Sequence, residues 1–257
     1  MTFTRRHFIH TAAATAGTVM ILPYATRAFA ASADTFTAEA GDFVVHPIEH
    51  ASFVLETPAG VIYSDPVGDP SLYEDLPAPD LVLVTHEHGD HFNADTLTAL
   101  VKDDVALITN PAVHDKLPDG LKEKAKSMAN GESGEWGGVS IDAVPAYNIT
   151  EERKNFHPEG RDNGYVLGFN GFRVYISGDT ENIPEMSSLE NIDLAFLCMN
   201  LPFTMDVDQA AEAIAAFKPK YVYPYHYRGK DGGTQDPAEF AKLVEGQTEV
   251  KMAEWYS

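Results

Sequence analysis

The sequence predicts an α/β fold. Short apolar segments typical of strands alternate along the chain with helical segments, and residues 80–85 form a nearly continuous run of leucine and valine. Such a run is expected of a strand that is buried on both faces. Interleaved strands and helices generally build sheets with helices packed on them. With 257 residues, the chain is long enough to bury a large core in one domain.

The predicted elements follow the same style in both halves of the chain. In the first half we predict strands at 43–45, 52–56, 61–64, 80–85 and 105–108, a turn at 58–60, and helices at 95–101 and 112–117. In the second half we predict strands at 139–144, 165–169, 172–176, 194–199 and 220–224, and helices at 207–217 and 237–244.

The first thirty residues have the pattern of an export signal. Arg5 and Arg6 precede an apolar stretch over 11–25, and residues 28–30 fit the small-x-small cleavage pattern, as in twin-arginine signals. We therefore expect residues 1–30 to be removed and 31–257 to form one domain, periplasmic or secreted. An uncleaved anchor is the alternative, but the stretch is shorter than the roughly 20 residues of a spanning helix, so we expect no stable membrane insertion after cleavage.

The charge balance bounds the partners. The chain has 39 acidic and 18 basic side chains and a net charge of −21. A field of this sign repels phosphate backbones, so a nucleic-acid partner is not expected and a small-molecule substrate is. Nothing in the sequence indicates an oligomeric state.

Three predicted strands end in polar residues that could bind a metal ion, within 84–86, 176–179 and 223–226. In α/β sheets, ligands gather beyond the carboxyl ends of the strands. We therefore expect these three segments to share one site despite their separation in sequence.

The hexapeptide HEHGDH at positions 86–91 is the strongest motif in the chain. It places three imidazoles and two carboxylates within six residues, where a strand turns into a helix. Imidazole nitrogen and carboxylate oxygen suit zinc and other first-row divalent ions. A solvated loop that is rich in histidine by chance is the alternative.

The hexapeptide resembles the H-x-H-x-D-H signature of the metallo-β-lactamase superfamily. Gly178-Asp179-Thr180 and His226, both at later strand ends, resemble that family's remaining ligand motifs, and the match in order and spacing covers most of residues 43–257. The resemblance implies a four-layer αββα sandwich with a dinuclear metal site at the open edge between two sheets.

The resemblance also implies particular metal ligands. Carried over to matching positions, they would be His86 and His88 for the first ion and Asp90, His91 and His226 for the second. Asp179 would bridge the two ions, which we expect to be zinc, with manganese as the alternative. Two such ions can share and activate a water molecule, and Asp90 and Asp179 are the expected catalytic carboxylates.

One position departs from the family pattern. The family usually supplies a further histidine where this chain has Asn148, and the nearest imidazole is that of His157. We expect His157 to be a metal ligand or a pocket residue, with a surface histidine as the alternative. If it does not coordinate, Asn148 borders a more open first site.

Three further residues are expected around the site. Asp65 follows the strand 61–64, where the family places an aspartate that can orient a metal-bound imidazole; a turn-capping aspartate is the alternative. His50 lies in a motif that resembles the branch of ascorbate-phosphate lactonase-like proteins, so a pocket position is expected, with a structural histidine as the alternative. Tyr225 precedes His226 and could line the pocket, although strand aromatics often lie in the core.

The resulting hypothesis is a metal-dependent hydrolase that acts on a small-molecule ester, lactone or phosphodiester. Hydrolysis of a β-lactam amide is an alternative that no sequence feature favours. A metal-binding or sensing protein without turnover is another, although such proteins usually lose ligands. Iron redox chemistry is a third, but relatives that perform it tend to have an acidic residue where His88 stands.

Overall fold

Fourteen strands form two sheets of seven in residues 33–256, which are the residues that the computed structural model describes. The predicted twin-arginine signal at 1–30 lies outside the described residues. In this part of the chain, no helix combines the length and hydropathy of a membrane span.

The first sheet is built from the amino-terminal half of the chain, in sequence order. Its strands are β1 (Asp34–Ala38), β2 (Gly41–Glu49), β3 (Ser52–Thr57), β4 (Gly60–Ser64), β5 (Leu81–Val84), β6 (Ala106–Thr109) and β7 (Ala125–Ser127). Strands β1 to β4 pair antiparallel, and β4 to β7 pair parallel.

The second sheet repeats this plan with the carboxyl-terminal half. Its strands are β8 (Ser133–Trp136), β9 (Val139–Ala146), β10 (Asp162–Phe169), β11 (Phe172–Ile176), β12 (Leu194–Cys198), β13 (Tyr221–Tyr225) and β14 (Glu249–Val250). Strands β8 to β11 pair antiparallel, and β11 to β14 pair parallel.

Helices connect the parallel strands. They are α1 (Ala94–Leu100), α2 (Pro111–Lys116), α3 (Asp119–Lys122), α4 (Pro184–Ser187), α5 (Val207–Phe217) and α6 (Pro237–Leu243), and a 3-10 turn spans Pro70–Tyr73. Capping side chains fix where the longer helices begin. Asn93 accepts two backbone N–H groups at the start of α1, and Asp206 forms a capping box with Gln209 at the start of α5.

The core has three layers of side chains, one between the sheets and one on the outer face of each sheet. Between the sheets, residues of both sheets interlock, as in the stacked rings of Phe53 and Phe196 with centroids 3.8 Å apart. On the outer face of the first sheet, Val82 packs in a cluster with Leu97 of α1 and Val113 of α2. On the outer face of the second, Tyr175 meets Phe217 of α5 with ring centroids 5.7 Å apart. The predicted α/β class and four-layer αββα arrangement are therefore confirmed.

Candidate metal centre

The three segments expected to share one site converge in the structure. Strand β5 ends at Val84 and leads into the hexapeptide, β11 ends at Ile176 three residues before Asp179, and β13 ends at Tyr225 directly before His226. Each strand is in the parallel part of its sheet, so the carboxyl ends bring these side chains to the edge between the sheets.

The backbone is bent sharply at several points around the site. His50, Asp65 and His226 have φ angles of 53°, 45° and 52°, a region that residues other than glycine rarely adopt. Gly178 has a φ of +59°, and a Cβ there would lie 2.6 Å from the carbonyl oxygen of Asn163. Only glycine therefore fits before Asp179. Unusual conformations of this kind cost free energy and cluster at functional sites.

Ligand-type side chains form three overlapping groups at this edge. Within each group the ligand atoms all lie within 4.8 Å of one another. The groups are His86, His88, His157 and Asp179; His91, Asp179 and His226; and His50, Asp90 and His226. Asp179 belongs to the first two groups, which is the arrangement expected of a bridging carboxylate.

The separations between these side chains match those of atoms around a metal ion. Oδ2 of Asp179 lies 3.8 Å from Nε2 of His86 and 3.4 Å from Nε2 of both His157 and His226, and Oδ1 lies 3.3 Å from Nε2 of His91. Hydrogen bonds between charged partners are shorter, at about 2.7–2.9 Å. Tetrahedral zinc with bonds near 2.1 Å separates its ligand atoms by about 3.4 Å.

Several polar atoms that face the centre have no hydrogen-bond partner among the described residues. They are the Nε2 atoms of His86, His91, His157 and His226 and Oδ1 of Asp179, all buried. Buried polar atoms are normally paired, because an unpaired one costs free energy. Since these atoms are the nitrogen and oxygen donors that bind first-row divalent ions, the residues present fit such ions.

Thr85 and Asp65 orient two of the imidazoles. Oδ2 of Asp65 lies 2.7 Å from Nδ1 of His91, while Thr85 donates its backbone N–H and its hydroxyl to the two oxygens of Asp65, both at 2.7 Å. The Thr85 hydroxyl also lies 3.0 Å from Nδ1 of His86. Asp65 therefore lies where a carboxylate that orients a ligand is expected, with Nε2 of His91 turned toward Asp179.

His157 reaches the site through an excursion of the chain. The backbone N–H of Asn148 donates to the carbonyl of His157 at 2.8 Å, so residues 149–156 form a loop that returns to Asn148. The Asn148 side chain belongs to none of the three groups; its Nδ2 donates to the carbonyls of Arg153 and Phe203. Nδ1 of His157 lies 3.1 Å from Oδ2 of Asp162. The imidazole of His157, rather than the side chain of Asn148, therefore lies with His86 and His88.

A buried carboxylate anchors this loop. Glu181 accepts the backbone N–H groups of Ile149 and Thr150, both at 2.6 Å, and forms an ion pair with Arg153 at 2.6 Å. Glu181 follows Asp179 by two residues. The strand end that presents the shared carboxylate therefore also holds the loop that presents His157.

Residues 45–226 match the family model of the beta-lactamase superfamily domain. The chain belongs to the metallo-β-lactamase superfamily. Similar curated proteins include UPF0173 metal-dependent hydrolases of Pyrococcus abyssi and Pyrococcus horikoshii, which are 33% and 32% identical over 78% of this chain and 92% of each relative. These relatives place this superfamily member among the metal-dependent hydrolases.

Solved structures agree with this assignment. A metal-dependent hydrolase from Parabacteroides distasonis is 39% identical, covers 88% of this chain and 100% of its own, and superposes with a TM-score of 0.78. Igni18, a metallo hydrolase from Ignicoccus hospitalis, has a TM-score of 0.68 at 23% identity over 81% of this chain and 93% of its own. At that identity the second likeness shows the metallo-β-lactamase fold alone.

Burial and neighbouring charges shift the pKa values of the histidines at this site. Burial lowers the pKa of His86, His88 and His226, so these imidazoles are neutral near pH 7 and keep a lone pair for a metal ion. Burial also disfavours charge on His91, but the carboxylates of Asp179 and Asp65 outweigh it and raise its pKa well above the usual value. The His91 imidazole is therefore doubly protonated and positively charged at neutral pH, and binding of a metal ion would release one of its protons.

Neighbouring imidazoles lower the pKa values of Asp179 and Asp90. Burial alone would raise the pKa of Asp179, but His226 and His91 outweigh it and hold the pKa well below its usual range. The imidazoles of His226 and His50 similarly lower the pKa of Asp90 against the effect of burial. Both carboxylates are therefore ionised at neutral pH, as metal ligands must be.

A pocket of about 350 Å³ opens over the centre. Its lining residues are His50, His88, Asp90, Phe156, His157, Asp179, Asn200, Phe203, His226, Arg228, Gly229 and Lys230. A larger groove of about 720 Å³, around residues 168–173 and 218–220, contains no histidine and lies apart from these ligands. The smaller pocket is the one that joins an accessible space to the metal-binding chemistry.

Tyr225 is not among the residues that line this pocket. Its ring is buried in the core, with centroids 5.8 Å from Trp255 and 6.3 Å from Phe196. His50, in contrast, does line the pocket, as expected.

Several residues of this centre were missed by sequence reasoning. Thr85 directly precedes the hexapeptide, and its hydroxyl was a signal that could have been used. Asp162 and Glu181 each lie within five residues of a ligand-type residue and are fully buried, but their sequence neighbours are polar, so no local pattern reveals their burial. Tyr256 contacts His50 across 206 positions of sequence, and no local pattern reveals that contact.

Proposed function

We propose that this chain hydrolyses an ester, lactone or phosphodiester bond of a small molecule with a dinuclear zinc centre. The observation that carries the proposal is the carboxylate of Asp179, which belongs to two ligand groups at the floor of one pocket. When bound, divalent ions held by these residues would lower the pKa of a water molecule and polarise the bond to be cleaved.

Each proposed ligand set draws residues from both halves of the fold. His86, His88 and His157 hold the first ion, and Asp90, His91 and His226 hold the second, with Asp179 between them. The imidazole nitrogens are the donors of each set, and the two carboxylates balance part of the ionic charge. Manganese fits the same nitrogen and oxygen donors and is the alternative metal.

The protein residues supply orientation and exclude bulk water. Asp179 is almost fully buried, whereas the Asp90 side chain is 49% exposed to the pocket. We assign to these two carboxylates the orientation of the attacking water, Asp179 from the floor and Asp90 from the rim. Asp65, Thr85 and Asp162 keep the imidazoles turned toward the centre.

The pocket walls suit a small substrate with an apolar part. Phe156 and Phe203 line the pocket with ring centroids 4.9 Å apart, and the exposed side chains of Arg228 and Lys230 also line it. A volume of about 350 Å³ is at the small end of ligand sites. These two basic side chains stand out in a chain with a net charge of −21, and they would attract a substrate with a negatively charged group. A nucleic-acid substrate remains disfavoured by the overall charge.

We also propose that the mature enzyme works in the periplasm or outside the cell, without a stable membrane anchor. Support comes from the twin-arginine pattern at 5–6 and the cleavage pattern at 28–30.

A turnover screen tests the proposed reaction. The zinc-loaded and manganese-loaded proteins are offered a chromogenic phosphodiester, a series of carboxylate esters, five- and six-membered lactones and a chromogenic cephalosporin. We expect hydrolysis in one of the first three classes, loss of that activity in the chelator-treated protein and its return on reloading. Turnover of the cephalosporin alone would favour a β-lactamase. Two bound ions with no turnover in any class would favour a metal-binding or sensing protein.

A further inference from the structure

His50 holds its Nε2 at the edge of the second ligand set. This nitrogen lies 3.4 Å from Oδ2 of Asp90, and Nε2 of His226 lies 3.4 Å from the same oxygen. The two rings are neighbours, with centroids 3.8 Å apart. Both nitrogen–oxygen distances exceed the roughly 2.7–2.9 Å of a charge-assisted hydrogen bond, and both equal the spacing of about 3.4 Å between neighbouring zinc ligands.

We propose that His50 binds the second metal ion through Nε2 and that the hydroxyl of Tyr256 holds its ring in place. The inference rests on the dinuclear centre proposed above. It adds a residue from the start of the domain to a ligand set in which the sequence motifs place no residue before position 86. Tyr256 acts as a positioning residue, because it works only through His50.

In the proposed arrangement, the His50 imidazole carries its hydrogen on Nδ1, which faces Tyr256. Nδ1 of His50 lies 2.7 Å from Oη of Tyr256, and the same oxygen accepts the backbone N–H of Arg228 at 3.1 Å. A phenolic oxygen can accept two hydrogen bonds. An imidazole that ligates through one nitrogen carries its proton on the other, and that N–H usually has a protein acceptor. With Nδ1–H donated to Tyr256, Nε2 keeps its lone pair on the side of Asp90 and His226.

The backbone around His50 is held in an unfavourable conformation by contacts with the site. Its φ of 53° is costly for a residue with a side chain. The carbonyl of His50 accepts the N–H of His226 at 3.1 Å, and the N–H of His50 donates to the carbonyl of the fully buried Trp255 at 3.0 Å. The ring is thus fixed both to a ligand and to the carboxyl-terminal segment that presents Tyr256.

The competing arrangement is a direct hydrogen bond from His50 to Asp90. It requires the proton on Nε2, so that Nδ1 would accept the Tyr256 hydroxyl proton. A carboxylate that accepts such a bond would lie within about 2.9 Å rather than 3.4 Å. The two arrangements differ in whether Nδ1 or Nε2 of His50 carries the hydrogen, and in whether Nε2 binds the ion. A measurement on the metal-loaded protein can therefore separate them.

The test uses Co²⁺ bound to the full mature protein and the variant His50→Asn. Asparagine tolerates a positive φ, so the backbone can be retained. Proton NMR of the cobalt protein shows each ligating imidazole as a paramagnetically shifted, exchangeable N–H resonance. We expect His50→Asn to lose one such resonance and to raise the dissociation constant of the second Co²⁺ by at least about tenfold in a chelator competition. The affinity for the first ion should be kept.

Two matched controls and a second variant accompany this test. His46→Asn removes an imidazole that pairs with Glu56 at 2.7 Å in the first sheet, and we expect it to change neither the resonance count nor the affinities. Tyr256→Phe keeps the aromatic ring beside the Arg228 guanidinium and removes only Oη. It should make the His50 N–H exchange faster with solvent and raise the dissociation constant of the second Co²⁺ by about tenfold. Tyr227→Phe should change neither quantity.

Unchanged resonances and unchanged affinities for both ions in His50→Asn would overturn the inference. The same holds if Tyr256→Phe matches Tyr227→Phe in N–H exchange and second-ion affinity. These failures are distinct from a failure of the proposed function, because that would appear in the unsubstituted protein, either as fewer than two bound ions or as two bound ions without turnover.

Discussion

At the scale of single residues, Asp179 ties the site together. Its carboxylate is buried, ionised and within 3.3–3.8 Å of four imidazoles from different parts of the chain. Removing its charge would leave four closely packed imidazoles without the anion that lies among them.

We expect Asp179→Asn to lower metal content toward one ion or fewer and to reduce turnover by more than about 100-fold. The amide keeps the shape of the side chain but cannot bridge two cations as an anion. Asp142→Asn is the matched control, because Asp142 pairs with Ser133 on the surface of the second sheet. Elemental analysis and steady-state kinetics report the two effects. Wild-type metal content in Asp179→Asn would rule out the bridging role.

Much of the ligand inventory was predictable from sequence, because four of the ligand-type residues stand in one hexapeptide. The residues that orient them were harder to predict. Asp65 could be proposed from its position after a strand, whereas Asp162 and Tyr256 act through contacts that only the folded chain creates. Tertiary contacts leave no periodic signal in a single sequence.

At the scale of elements, the loop at 149–156 explains the departure at Asn148. The chain leaves β9, makes the loop, and returns so that His157 meets Asn148 through a backbone hydrogen bond. The imidazole is displaced by nine positions in sequence but joins His86 and His88 in space. The hypothesis for His157 came from it being the nearest imidazole, and its position in the structure supports that hypothesis.

We predict that His157→Ala lowers metal content toward one ion per chain, because the first set loses an imidazole while Asp90, His91 and His226 keep the second. Turnover should fall more than substrate affinity, since the open coordination position affects activation of water. His114→Ala, on α2 away from the ligand groups, is the control. Retention of two tightly bound ions in His157→Ala would show that the residue is not a ligand.

The predicted strands and helices are all present, and the elements that were missed are short. Strands β1, β7, β8 and β14 have two to five residues and are largely exposed or half-buried, and helices α3 and α4 have four residues each. Such segments are too short to establish a period of 2 or 3.6 residues. They form because neighbouring strands or core contacts stabilise them.

At the scale of the whole molecule, the fold brings ligand-type side chains from both sheets to one edge. The hexapeptide follows a strand of the first sheet, and Asp179 and His226 follow strands of the second. The site therefore exists only when both sheets have packed. Coupling of metal binding to folding suits export in the folded state, which is a property of the twin-arginine route.

Replacement of both Arg5 and Arg6 by lysine should hold the precursor in the cytoplasm, because the twin-arginine route requires the arginine pair. Arg27→Lys, outside the pair, should leave export unchanged. Cell fractionation and sequencing of the mature amino terminus, expected near Ala31, provide the measurement. Normal export of the double-lysine precursor would refute this route. These residues lie outside the described part of the chain, so the prediction rests on sequence alone.

The most direct test of the dinuclear centre is the metal content of the mature protein purified without chelator. Elemental analysis against protein concentration should give two divalent ions per chain, predominantly zinc, because the structure offers two ligand groups that share one carboxylate. Removal of the metal should abolish hydrolysis, and addition of two equivalents should restore it. Full activity with a single ion per chain would contradict the account.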